Sequence, residues 1–229
     1  MLTQNEIENE IIKMYRKHPI MRDIQFKVRD RTDQLSRNYS KANLKGFKGT
    51  YQPRDRMILI SGENHRDIKD LQETLKHEIY GHAATYMINR ADKEKLINSI
   101  KSLENEPGVK EHWESVKKGY VGYTRDMQAE EVFAYIAEKS KDGYTLVSNV
   151  TYEVKSLEDI QKAANHIKNE MLSGRARFLF RPERNNEQFR KPEHAQEKSH
   201  SPETLKQFVK QRSEHAQIKT KENSKGVER

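Results

Sequence analysis

The chain has 229 residues, enough for one ordinary domain with an extension or for two small ones. Only 33% of them are hydrophobic and 34% are charged. That is too polar for every residue to share one core and implies an extended or disordered part.

No cysteine is present, which excludes disulfides, iron–sulfur clusters, thiolate zinc fingers and cysteine nucleophiles. No run approaches the ~18–20 apolar residues of a membrane span. The opening MLTQNEIENEII carries three glutamates and no apolar stretch, so no secretory leader is expected there and the cytosol is the simplest compartment. Net charge is +8, but from Arg175 onward 14 Lys and Arg face 8 Asp and Glu, so six of the eight positive charges belong to the tail.

Residues from Thr3 to about Lys17 read as a helix, with Ile7, Ile11, Ile12 and Tyr15 on one stripe. His18-Pro19 ends it, because the residue before proline avoids the α region. Ile24, Phe26 and Val28 alternate, as in a short strand. Gly49-Thr50-Tyr51, a turn at Pro53-Arg54-Asp55, and Met57 to Ile60 read as a hairpin. Asp67 is an N-cap with Asp70 three residues on. A long helix is expected from about Ile68 to Arg90, with Ile68, Leu71, Leu75, Ile79 and Ala83 on one side. Further helices are expected from about Ala91 to Leu103, from about Thr124 to Ser140, and from Leu157 to Leu172. Tyr144 to Val154 has strand-like composition. After Gly174 apolar residues are few, apart from an amphipathic piece at Pro202 to Arg212. The expected organisation is an N-terminal helix (1–20), a folded domain (21–174) and a basic, largely disordered tail (175–229). The fold class is α+β, mainly α.

The chemistry lies in Thr74-Leu75-Lys76-His77-Glu78-Ile79-Tyr80-Gly81-His82. Neutral imidazoles are good zinc ligands, and a carboxylate beside one of them can take a proton from an activated water. In H-E-x-x-H the histidines are four residues apart, about 400°, and share a helix face. Here they are five apart, about 500°, which puts the rings about 140° apart on an ideal helix. One extra residue absorbed as a π-bulge restores a common direction, and Gly81, just before His82, is where an unusual backbone costs least. A catalytic zinc site also needs a third ligand. Glu130-Glu131, followed by Val132-Phe133-Ala134-Tyr135, interrupts an apolar helix, and either carboxylate could ligate. Ala134, one turn beyond Glu131, allows close approach. The bland alternative is a helix with two surface histidines and a solvated glutamate pair near a helix N-terminus.

His77-Glu78-Ile79-Tyr80-Gly81-His82 resembles the HExxGH motif of dipeptidyl peptidase III enzymes. Glu130-Glu131-Val132-Phe133-Ala134 resembles their second motif, EExxA followed by an acidic residue. The resemblance implies a zinc metallopeptidase with His77, His82 and Glu131 as ligands and Glu78 as the catalytic base. The acidic position after the alanine is Tyr135 here, which removes a carboxylate that would support a ligating histidine. The wider order of elements, over about residues 49 to 140, resembles the small zincin-like domains of phage and conjugative-element polyvalent proteins. That implies a minimal core with a cleft-edge strand, Met57 to Ile60, pairing with an extended peptide or protein substrate.

An oxyanion donor is also needed, with Tyr120, Tyr123 and Tyr135 as candidates. Two other functions stay open: a catalytically weak zincin-like binding or regulatory module, and a basic accessory protein. In the latter the tail (Arg175, Arg177, Phe178, Phe180, Arg181, Arg184 and Arg190) would contact nucleic acid. The oligomeric state is open.

Overall fold

The computed structural model describes residues 1–32, 46–139 and 150–181. They belong to one compact unit, Met1–Glu183, of the α+β, mainly helical class. Helix α1 (Gln4–Lys17) starts at a reciprocal cap: Thr3 accepts from the Glu6 backbone, and the Glu6 carboxylate accepts from the Thr3 N–H. Ile7 and Ile11 are buried, and the Leu2 N–H donates to the Gly62 carbonyl. The helix is therefore part of the core rather than a separate appendage. Ile12 does not join its stripe and is 47% exposed. A 3-10 turn, Pro19–Asp23, follows.

Strands β1 (Gln25–Arg29), β2 (Gly49–Gln52) and β3 (Met57–Ser61) form a sheet in the order β1-β3-β2. β1 runs parallel to β3, with Gln25 opposite Met57, and β2 runs antiparallel to β3, with Tyr51 opposite Ile58. The hairpin is as expected, but β3 is flanked on both sides. The expectation that Met57 to Ile60 forms the cleft edge is therefore corrected: among the described residues β2 is the edge on that side. β3 takes the middle because Ile58, Leu59 and Ile60 are each at most 2% exposed, and so apolar a run is stable only between neighbours.

Asp67 caps α2 (Ile68–Lys76), accepting from the Asp70 N–H at 2.8 Å. The chain then changes pitch without breaking, through a π-turn at His77–His82 and a 3-10 turn at Ala83–Tyr86. The single helix expected to reach Arg90 is thus three helical types, ending earlier. Leu71, Leu75, Ile79 and Ala83 are fully buried along it; each large member contributes roughly 1.5–3 kcal/mol. Asn89 caps the next helix, α3 (Arg90–Ser102).

Helix α4 (Lys110–Gly119) was not anticipated, although Trp113 and Val116 give it a buried face. α5 (Arg125–Ala137) and α6 (Leu157–Leu172) begin at Thr124 and Ser156 caps. Residues 150–154 form no strand; the earlier part of that expected strand lies outside the described residues. The amphipathic piece at 202–212 also lies outside them, as does the tail beyond 181.

The compact unit runs past Gly174. Ala176 is 5% exposed, the Leu179 N–H donates to the Tyr86 carbonyl, and Phe180 lies against Tyr86 with ring centroids 5.1 Å apart. Among the described residues no helix is long and apolar enough to cross a membrane.

Candidate metal centre

The π-turn solves the spacing problem that the sequence poses. With i→i+5 hydrogen bonding, shown by the Ala83 N–H reaching the Glu78 carbonyl, residues five apart stack on one face. The His77 and His82 ring centroids are 5.0 Å apart. His77, Glu78 and His82 each offer a ligand atom, all within 4.8 Å of one another, so the group could hold a metal ion.

Helix α5 crosses this turn closely. A Cβ at Gly81 would lie 2.4 Å from the Ala134 Cβ and 2.6 Å from its Cα. Gly81 is not among the glycines with positive φ. Its role is therefore steric room at a helix crossing, which corrects the backbone-strain reason inferred from sequence. The small residues bring α5 near enough for its carboxylates to reach both imidazoles.

The two adjacent glutamates do different things. Glu131 Oε2 lies 3.4 Å from His77 Nε2, and Glu131 Oε1 lies 3.5 Å from His82 Nε2. These separations exceed the ~2.9–3.0 Å typical of an N–H···O bond. Each runs to a different oxygen of the one carboxylate, which thereby spans the two imidazoles. Glu131 Oε2 is buried with no hydrogen-bond partner, as expected of an atom suited to a cation. Glu130 approaches the outer side of His82 instead: its Oε1 is 3.4 Å from Nδ1, and its Oε2 is 2.9 Å from Lys93 Nζ.

Glu138 Oε2 is 3.0 Å from His77 Nδ1. The support expected to be missing because Tyr135 replaces an acid is therefore supplied from one turn further along. Glu138 shares a helix face with Glu131 and Ala134, a signal visible in the spacing but not used. In each histidine a carboxylate on Nδ1 favours the tautomer that leaves Nε2 facing Glu131.

The electrostatics are set by the close packing of imidazoles and carboxylates. Burial disfavours a charged His77, but the Glu131 and Glu138 carboxylates outweigh it and push its pKa up to about 9. Burial likewise opposes charge on His82, yet Glu131 and Glu130 hold it well above its ordinary value. Burial would raise both glutamates, but Lys93 and His82 pull Glu130 down to about 2, and the two histidines pull Glu131 well below the carboxylate range.

Glu78 is buried and accepts a 2.7 Å hydrogen bond on Oε2 from the Tyr51 N–H of β2. That N–H is therefore turned away from β3, and the outer edge of β2 faces the site. Of the three tyrosines, Tyr135 packs edge-on against His77 with centroids 5.0 Å apart. The Tyr120 hydroxyl is 3.5 Å from that of Tyr135, and the Tyr123 ring packs tilted against Tyr120, centroids 5.1 Å apart. In the tail, Phe178 and Phe180 pack on the core, and Arg175 pairs with Glu170 at 2.7 Å. The basic–aromatic alternation there is at least partly used in folding; Arg184 and Arg190 lie outside the described residues.

No family model matches the chain, and no solved structure matches it. It is similar to DNA primase TraC of Escherichia coli, at 26% identity over 146 residues that cover 60% of this chain and 10% of that protein. The chain thus spans about a tenth of the length of the curated relative it matches.

Proposed function

We propose that the chain is a zinc-dependent metallopeptidase. The observation that carries this reading is the approach of two imidazole Nε2 atoms to one buried carboxylate, Glu131, beside a second carboxylate, Glu78. His77, His82 and Glu131 are three protein ligands, the number that leaves an open fourth position in a catalytic zinc site. The all-nitrogen-and-oxygen set suits zinc, and the absence of cysteine is no obstacle. Zinc held there would supply a Lewis acid able to polarise a peptide carbonyl and acidify water.

The chain's own residues do the rest. Glu78, held on Oε2 by the Tyr51 N–H, takes a proton from the attacking water and returns it to the leaving amine. Glu130 and Glu138 orient the two histidines. The outer edge of β2 offers backbone groups to an extended substrate, the role the sequence had assigned to Met57 to Ile60. Tyr135, nearest the ligands, is the tyrosine best placed to meet a developing oxyanion.

The test is Glu78→Gln, assayed against a peptide library. It should retain metal and lose cleavage by 10²-fold or more; cleavage at the wild-type rate refutes the assignment of the base. The second reading is a basic accessory protein that contacts nucleic acid, for which the similarity to a DNA primase speaks. It predicts no cleavage by the wild type, and salt-dependent DNA binding that disappears when the chain is cut after Arg181.

A further inference from the structure

Lys93, on α3, meets the proposed centre through Glu130, Thr85 and Tyr86. Its ammonium donates to Thr85 Oγ1 at 2.9 Å, lies 2.9 Å from Glu130 Oε2, and sits 3.7 Å from the Tyr86 ring centroid. Only 14% of its side chain is exposed. Enclosing an ammonium this far is costly unless every contact is a good one. Here a carboxylate, a hydroxyl and an aromatic face meet it together.

The neighbouring glutamates show what this arrangement accomplishes. Glu130 and Glu131 are adjacent in sequence, Glu131 reaches both histidines and Glu130 reaches His82, and both are carboxylates that a divalent ion would accept. Both oxygens of Glu130 are engaged, one with His82 Nδ1 and one with Lys93. Glu131 Oε2 has no hydrogen-bond partner. We propose that Lys93 decides which of the two glutamates is the ligand. It pins Glu130 outside the coordination sphere as the acceptor for His82 Nδ1–H, and leaves Glu131 to meet the ion. Thr85 belongs to the 3-10 turn that directly follows the π-turn, so the same ammonium ties α3 to the segment carrying His82. Lys93 is a positioning residue, and the inference rests on the metallopeptidase reading of the same centre.

The test uses zinc and cobalt(II) as probes on the full chain. Lys93→Met keeps the apolar stem and removes the charge. It should weaken zinc binding about 10–100-fold. It should also lower the intensity of the cobalt visible bands, as Glu130 swings inward and coordination rises above four. Lys93→Arg should restore both. Glu130→Gln should weaken zinc binding on its own, and adding Lys93→Met to it should cost nothing further, because the lysine acts only through that carboxylate. Circular dichroism checks the fold of each metal-free variant, and Lys93→Gln replaces Lys93→Met if the latter does not fold. Zinc affinity and cobalt bands like those of the wild type in the uncharged variant overturn the proposal, as do Lys93 and Glu130 effects that simply add. A wild type that binds neither ion refutes the metal-centre reading instead.

Discussion

An alanine at position 81 would drive its Cβ into Ala134 at 2.4 Å, a distance no relaxed pair of carbons adopts. The contact lies against backbone as well as side chain, so the helices must separate. Gly81→Ala should cost about 1–3 kcal/mol of stability by overpacking, measured by urea denaturation of the metal-free protein. It should also weaken metal binding, since Glu131 is carried on the displaced helix. Ala134→Gly in the same chain should recover only part of either loss, because the 2.6 Å approach to the Ala134 Cα remains; full recovery would place the whole constraint in the Ala134 methyl.

The His77–Glu78–His82 cluster was legible at this scale because the chemistry restricts residue type and spacing; the choice between Glu130 and Glu131 was not, and came only from the resemblance. Glu138 and Lys93 were not taken up. One comes a turn beyond the motif and the other from a different helix, and nothing local marks a charged residue as facing inward. Metal binding must displace protons from the raised histidines, so affinity should fall as pH is lowered below about 9. Calorimetry in buffers of different ionisation enthalpy reads that proton release, and its absence would contradict the histidine assignment.

Among the elements, the helix starts visible in the sequence were the ones with a side-chain cap: Thr3, Asp67, Asn89, Thr124 and Ser156. Helix α4 follows Val109, which makes no side-chain cap bond, and it went unseen despite its apolar face. The central place of β3 was hidden for another reason. Its pairing of Gln25 with Met57 joins residues far apart in the chain, and the local pattern carries no register information of that kind.

The start of α2 makes a separate prediction. Burial alone would raise the Asp70 carboxyl, but Lys48 at 2.5 Å and the Arg66 N–H hold it below its ordinary value. A carboxylate depressed in the folded state stabilises above its unfolded pKa of ~3.9 and loses that contribution as pH falls through the lower folded value. Asp70→Asn should therefore be less stable than wild type near neutrality, with the gap closing below about pH 4. A gap that stays constant down to acid pH would mean the pair contributes nothing through charge.

Across the whole molecule, the α+β class and the packing of a glutamate-bearing helix against the histidines were readable from elements and motifs, whereas the sheet edge was assigned to Met57 to Ile60 instead of β2. The end of the compact unit was not readable either. Gly174, with φ of +73°, closes α6 in the left-handed conformation that glycine adopts most easily. The chain then doubles back, placing Ala176 in the core, Phe178 under the Arg56 guanidinium and Phe180 against Tyr86. Those contacts depend on where the tertiary fold puts Tyr86 and Arg56. Cutting after Gly174 should lower Tm by roughly 4–8 °C, the equivalent of about 2 kcal/mol of lost apolar and aromatic packing. Cutting after Arg181 should leave it unchanged, and equal effects from both cuts would deny the 175–181 segment a structural role.

The most direct test of the central claim is the zinc content of purified wild type, His77→Ala, His82→Ala, Glu131→Gln and Glu78→Gln. The π-turn account predicts about one zinc per chain in the wild type and in Glu78→Gln, and little in the other three. Undiminished zinc in both histidine variants would mean that the two imidazoles do not share an ion.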